Sequence, residues 1–81
     1  MTKSVFTDEY RFMLDCLAEA REKAGLSQRQ LSRILEKPSS FVNKYETGER
    51  RLDVVEFTIV AKALNLNALR VIKKISEMLD A

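Results

Sequence analysis

The sequence has no histidine or tryptophan, a single cysteine, one proline and two glycines. Cys16 has no second cysteine with which to form an intramolecular disulfide, and without histidine a Cys/His zinc site is excluded. The lack of histidine also removes the commonest general base and every Ser-His or Cys-His nucleophile pair. We therefore predict no enzymatic activity, no metal site and no cofactor. An enzyme that relies on carboxylates or lysine is the weak alternative.

Long apolar segments are missing as well. No apolar run approaches the ~18 residues of a membrane-spanning helix, and residues 1–9 lack the apolar core of a signal peptide. These absences predict a cytoplasmic protein that does not associate with membranes. The 81 residues are 46% hydrophobic and carry a net charge of only +2, which indicates one folded domain over residues 1–81 rather than a disordered chain.

The scarcity of glycine and proline favours an all-α fold, and capping signals predict where four of its five helices begin. Thr7, Ser27, Asp53 and Asn67 can each cap a helix, and the second and third of these stand three residues before Gln30 and Glu56, the spacing of a capping box. The remaining helix is the third along the chain. We predict that it runs from Ser39 to about Glu46, after Pro38 has ended the second helix and opened the third.

Helix ends and buried faces follow from the same pattern. Gly25, Gly48 and Asn65 are suited to the left-handed conformation that commonly ends a helix. Apolar residues at helical spacing predict the core-facing positions of the second, third and fourth helices. These positions are Leu31, Ile34, Leu35, Phe41, Val42, Tyr45, Val54, Phe57, Val60, Ala61 and Leu64.

The last helix, predicted at about residues 67–81, has a wider apolar face than the others. Ile72, Ile75, Met78 and Leu79 exceed what a single small core obviously needs. Part of this face is expected to pack on the first and fourth helices. The remainder is the best predicted surface for dimerisation.

Charge is distributed unevenly along the chain. Residues 25–52 carry six basic and three acidic side chains, net +3, whereas residues 1–24 have a net charge of −1 and residues 53–81 of zero. A positive surplus confined to the middle third is a modest electrostatic footprint for a polyanionic partner. An ordinary solvated surface is the alternative interpretation of charge alone.

Three segments resemble one known family. The stretches GLSQRQLS at residues 25–32, FVNKYETGERR at 41–51 and VAKALNL at 60–66 are similar to the XRE family of phage-repressor and Cro type helix-turn-helix regulators. The resemblance covers residues 11–72. It implies a five-helix bundle of the lambda repressor type with a helix-turn-helix, which binds double-stranded DNA as a dimer with its third helix in the major groove.

The resemblance also implies roles for individual residues. Gln28 matches a position that fixes the second helix on a phosphate, and Thr47 matches one that touches phosphate. Base edges are read at the positions of Ser39, Ser40 and Lys44, with Asn43 close by. A further implied feature is an ion pair between Arg21 and Glu46. The sequence departs from the family at Glu36, where a turn glycine is usual, and at Pro38, where a Ser or Thr cap is common.

The residue types themselves support a DNA interface. Lys44 is suited to guanine O6 and N7, and Asn43 can form a bidentate pair with adenine. Arg50 and Arg51, in the loop after the third helix, are expected to contact phosphate or the minor groove. For Lys44, Arg50 and Arg51, an ordinary solvated side chain is the alternative. For Ser39 and Ser40, the alternative is simple capping of the helix N-terminus.

We therefore expect a small regulator of transcription, a repressor or autoregulator that acts as a homodimer on a pseudo-palindromic operator. The alternative is an antitoxin-type or other interaction module that binds a partner protein as well as DNA.

Overall fold

The computed structural model describes residues 7–80, and five α-helices account for most of them. The helices are α1 (Asp8–Lys23), α2 (Gln28–Ile34), α3 (Phe41–Thr47), α4 (Val54–Ala63) and α5 (Ala68–Leu79). The described part of the chain contains no strand, so the predicted all-α fold is confirmed. None of these helices has the length and apolar character needed to cross a membrane. Two predictions concern residues that the structure does not describe. The single domain was predicted over residues 1–81, and the lack of a signal peptide over residues 1–9, whereas residues 1–6 and 81 lie outside the described range.

The predicted caps form as expected. The Thr7 hydroxyl accepts a hydrogen bond from the Tyr10 backbone N–H at 3.1 Å. Complete capping boxes begin α2 at Ser27 and α4 at Asp53, and the side chain of Asn67 caps α5. Because each cap satisfies N–H groups that have no partner inside the helix, these local signals fix where the helices begin.

The predicted left-handed helix ends are also confirmed. Gly25, Gly48 and Asn65 have φ values of 73°, 86° and 57°.

The connection between α2 and α3 differs from the prediction. Helix α2 ends at Ile34, and Glu36 adopts a left-handed φ of 59°, so the chain leaves the helix before it reaches Pro38. The prediction that Pro38 ends α2 was therefore wrong. A single turn follows, in which the Phe41 N–H donates to the Pro38 carbonyl at 2.9 Å, and α3 starts at Phe41 rather than at Ser39.

The core lies where the inner faces of the five helices meet. Its buried helical side chains are Met13, Leu14, Leu17, Leu31, Phe41, Val42, Tyr45, Phe57, Val60, Ala61 and Val71. Leu52 and Leu64, just outside the ends of α4, are buried with them. Removing this apolar surface from water is the main stabilising term for so short a chain.

Two predicted core positions are wrong, and one core residue was missed. Ile34 is 55% exposed because Leu31 and Ser32 form the buried side of α2 and Ile34 lies off that side. Val54 is 68% exposed because it precedes the buried stripe of α4. Ser32 is fully buried instead, and its hydroxyl accepts a hydrogen bond from the Val42 N–H at 3.1 Å. This bond joins α2 to α3 inside the core.

The hydroxyl of Tyr45 is buried without a hydrogen-bond partner among residues 7–80. Burial raises the pKa of Tyr45 well above its ordinary value of 10, and the nearby Glu46 carboxylate acts in the same direction. A buried hydroxyl without a partner destabilises the folded state, so Tyr45→Phe is expected to raise the free energy of unfolding by ~1 kcal/mol at neutral pH. Urea unfolding measures the change.

The same variant tests the alkaline stability of the fold. Above pH 10 the unfolded chain releases the Tyr45 proton and the folded chain retains it, so stability falls as pH rises, by up to about 1.4 kcal/mol per pH unit. Tyr45→Phe should remove this part of the slope. Tyr10→Phe is the control at neutral pH: its hydroxyl accepts from the Leu52 N–H at 3.0 Å, so its loss should destabilise the protein. Identical alkaline slopes for wild type and Tyr45→Phe would contradict the prediction.

Candidate nucleic-acid interface

Helix α3 presents one polar stripe to solvent. Phe41, Val42 and Tyr45 face the core, so the opposite side of this short helix is open. Residues three and four apart lie on one face of a helix. The exposed residues Ser40, Asn43, Lys44 and Thr47 therefore form a continuous line, which we call the α3 stripe. Four of the eight predicted DNA-binding residues lie on it.

The stripe is supported from behind by an ion pair. The Arg21 Nε donates to Glu46 Oε2 at 2.8 Å, and Arg21 Nη2 donates to Glu46 Oε1 at 3.3 Å. Both side chains are only 12% exposed. The hydrogen bond to Glu46 raises the pKa of Arg21, and Arg21 Nη1 also donates to the Leu26 carbonyl at 2.8 Å. The implied pairing of Arg21 with Glu46 is thus confirmed, and it joins the C-terminal end of α1 to α3.

Gln28, the first residue of α2, continues this network. Its Nε2 donates to Glu46 Oε1 at 2.8 Å, and its Oε1 accepts from Asn43 Nδ2 at 3.2 Å. Two of the predicted site residues are therefore in direct contact with each other. The sequence does not reveal this contact, because the two residues are far apart in the chain and neither spacing nor residue type indicates a tertiary contact.

Ser39 precedes the first residue of the α3 stripe and lies beside a hollow of about 260 Å³. The hollow is lined by Arg29, Arg33, Glu36, Lys37 and Ser39. Three of its five lining side chains are basic, so the space favours an anion. The sequence offers Arg29 and Arg33 only as weaker candidates for contact with DNA, because nothing in it shows that they face the duplex. Their position four apart on α2 was the available signal, since that spacing places both on one face.

Thr47 and Arg50 are engaged with the protein itself. The hydroxyl of Thr47, the last residue of α3, donates to the Lys44 carbonyl at 3.1 Å. The same hydroxyl accepts a hydrogen bond from the Glu49 N–H at 3.4 Å. Arg50 binds the Glu56 carboxylate through both terminal nitrogens, at 2.7 and 3.1 Å, and its guanidinium lies 5.3 Å from the centre of the Phe41 ring. A phosphate would therefore compete with Glu56 for Arg50.

The Arg50–Glu56 pair changes the ionisation of both groups. The hydrogen bond to Glu56 raises the pKa of Arg50. The same bond, helped by the Asp53 N–H, lowers the pKa of Glu56 to about 2. Glu56 therefore stays negative throughout the physiological range. Arg51 is also held against the protein, with its guanidinium 4.1 Å from the centre of the Tyr10 ring.

Lys44 differs from the two arginines. Within residues 7–80, no side chain or backbone group forms an ion pair or hydrogen bond with its ammonium group. It is exposed at the middle of the α3 stripe. An uncompensated positive charge next to the Asn43 amide can bind the acceptor groups of a base edge or a phosphate.

The predicted dimerisation surface on α5 is divided between core and solvent. Ile75 packs against the core and Met78 is half-buried. Ile72 and Leu79 are 42% and 65% exposed, and Leu69, one turn before Ile72, is 79% exposed. We call Leu69, Ile72 and Leu79 the α5 apolar edge.

Comparison of the sequence with known protein families gives one match. A family model described as helix-turn-helix matches residues 17–71, which extends from the second half of α1 to the first turn of α5. The matched segment contains all eight predicted DNA-binding residues. A search of the curated proteins returned no match.

Proposed function

Because the chain belongs to the XRE-type helix-turn-helix family of DNA-binding transcription regulators, we propose that it acts as a homodimer that recognises a pseudo-palindromic operator. In this proposal the dimer represses transcription by occupying the site in place of polymerase. Residues 1–81 act as one DNA-binding domain, and the last helix supplies contacts between the two copies.

The observation that carries the proposal is the α3 stripe. It combines a free ammonium group at Lys44, an amide at Asn43 and hydroxyls at Ser40 and Thr47 on one exposed line. A helix of this width fits the major groove, where amide and ammonium groups distinguish base pairs. The basic hollow beside Ser39 and the arginines after α3 lie on the flanks, where contacts to phosphate set affinity and position.

The proposed dimerisation rests on the small number of base pairs that one α3 helix can contact. A single seven-residue helix touches only a few base pairs, so tight and specific binding needs two copies. The α5 apolar edge supports a two-fold contact, because burial of such exposed apolar side chains against a second copy would stabilise the dimer. Two half-sites are then expected about one helical turn apart, roughly 34 Å.

Selection of bound duplexes from a random DNA library tests the proposal. The purified protein is expected to enrich an inverted repeat with half-sites about one turn apart at near-physiological salt. Enrichment of a single half-site without symmetry would contradict the dimer but not DNA recognition. Weak binding with a steep salt dependence and no enriched sequence would contradict specific recognition. An interaction module that acts mainly on a partner protein would then be the better hypothesis.

Lys44→Ala tests the base-reading role of the α3 stripe. The variant is expected to weaken binding to the selected duplex by about 1–3 kcal/mol and to relax the preference at one base pair in each half-site. Dissociation constants for duplexes that differ at single base pairs, measured at one salt concentration, report both effects. Lys62→Ala on α4 removes the same charge from another exposed position and should leave the preference unchanged. An unaltered preference in Lys44→Ala would exclude Lys44 from the base contacts.

A further inference from the structure

Four side chains from three helices form one directed chain of hydrogen bonds. It runs from Arg21 through Glu46 and Gln28 to Asn43. Arg21 and Glu46 are almost buried, Gln28 is half-buried and Asn43 is exposed on the α3 stripe. This chain of hydrogen bonds therefore leads from the interior of the protein to the surface that is proposed to face DNA.

The direction of every bond in this chain is determined at its buried end. A guanidinium only donates hydrogen bonds and a carboxylate only accepts them, so Glu46 must receive a bond from the Gln28 amide nitrogen. Since an amide presents its oxygen and nitrogen on opposite sides, the Gln28 Oε1 then points toward Asn43. That oxygen can only accept, and Asn43 must therefore present its Nδ2 to Gln28.

This direction decides what Asn43 offers to a partner. Its Nδ2 uses one hydrogen for Gln28 and retains the second, and its Oδ1 accepts no hydrogen bond within the described part of the chain. One donor and one acceptor thus remain on the exposed amide. This pair is complementary to adenine in the major groove, where N7 accepts and the N6 amino group donates.

We propose that Asn43 reads adenine, and that Arg21, Glu46 and Gln28 act as positioning residues that orient its amide. The inference rests on the proposed function, since it assumes that the α3 stripe enters the major groove. It assigns Gln28 a role in base preference in addition to the phosphate contact expected from its position. The Arg21–Glu46 ion pair likewise becomes a part of sequence recognition, although neither residue touches DNA.

Base preference at one position of the selected duplex tests the inference. Asn43→Ala is expected to reduce the preference for adenine over the other bases at one position of each half-site by about tenfold or more. Gln28→Ala should reduce the same preference about threefold or more, because the Asn43 amide is then free to rotate. The double variant should lose no more preference than Asn43→Ala alone, since both residues act through one amide.

One control separates this role from simple phosphate binding, and a second verifies that the variants fold. Arg29→Ala, next to Gln28 on the exposed side of α2, should change the affinity for all duplexes by one common factor. Thermal unfolding of each variant verifies that the fold is retained.

Three results would overturn the proposal, and they are distinguishable. If Gln28→Ala lowers affinity equally for all duplexes and keeps the adenine preference, Gln28 does not position Asn43. If Asn43→Ala alters the preference for a base other than adenine, the assigned complementarity is wrong. If the wild-type protein selects no sequence at all, the proposed function fails before any variant is compared.

Discussion

Glu46→Gln is expected to destabilise the protein by about 3 kcal/mol, although it removes only one charge and almost no volume. The reason is the near-complete burial of the Arg21–Glu46 pair, in which both side chains are 12% exposed. After the substitution, the enclosed Arg21 guanidinium keeps only a longer ion pair, 3.8 Å from Nη2 to the carboxylate of exposed Glu22. The cost of enclosing its charge is then no longer offset by a close partner, and that penalty exceeds the value of the lost attraction. For a chain of this length, the unfolding temperature should fall by more than about 10 °C.

Glu49→Gln is the matched control for this prediction. It makes the same change of charge at an exposed position in the loop that follows α3, where substitutions usually alter stability by less than ~0.5 kcal/mol. Urea and thermal unfolding at two salt concentrations measure both variants. Salt screens exposed charges strongly and buried ones weakly, so the effect of Glu46→Gln should persist at high salt. An effect that disappears there would show that the pair behaves as a surface ion pair.

Leu69→Glu is expected to abolish the proposed dimer without destabilising the folded chain. Leu69 is 79% exposed in the single chain, so a glutamate there remains solvated and the core is unchanged. In a two-fold contact through the α5 apolar edge, the same substitution places two carboxylates in an apolar interface, where unpaired charge is costly. Affinity for the inverted repeat should then fall by about 100-fold or more, because the two half-sites are no longer bound as a unit.

Lys74→Ala serves as the control for Leu69→Glu. It shifts the net charge by the same amount on the opposite side of α5, beside the open groove near Phe12. Sedimentation and DNA titration are expected to show a dimer with normal affinity for this variant. A Leu69→Glu protein that is still dimeric would place the interface elsewhere, and exposed Val55 and Ile59 on α4 would be the next surface to test.

The parts of the fold that could be predicted are those determined by neighbouring residues. Ser27 and Asp53 cap their helices through residues only three positions away, and Asn65 reverses the chain by its own conformation. Such signals are short in range, so the sequence alone contains them. The exposure of Ile34 and the burial of Ser32 depend instead on which side of α2 meets α3, and the apolar pattern of α2 is too short to decide this.

In the candidate site, too, local features could be predicted from the sequence and tertiary contacts could not. The positions of Lys44 and Asn43 on α3 followed from helical spacing and from the family resemblance. The contact of Gln28 with Asn43 and the pairing of Arg50 with Glu56 did not, because each joins side chains from different elements. These contacts determine which polar groups remain available to a ligand. Residue type therefore predicts where the interface lies, and only the structure shows how each side chain is held.

The buried hydrogen bond from the Val42 N–H to the Ser32 hydroxyl has a consequence for the thermodynamics of DNA binding. Together with the network behind the α3 stripe, this bond holds α2 against α3 in the folded chain without a ligand. The entropy lost in ordering these two short helices is then part of folding and not of association. Binding should therefore show only the heat-capacity change of the contact surface itself, without the larger change that accompanies coupled folding.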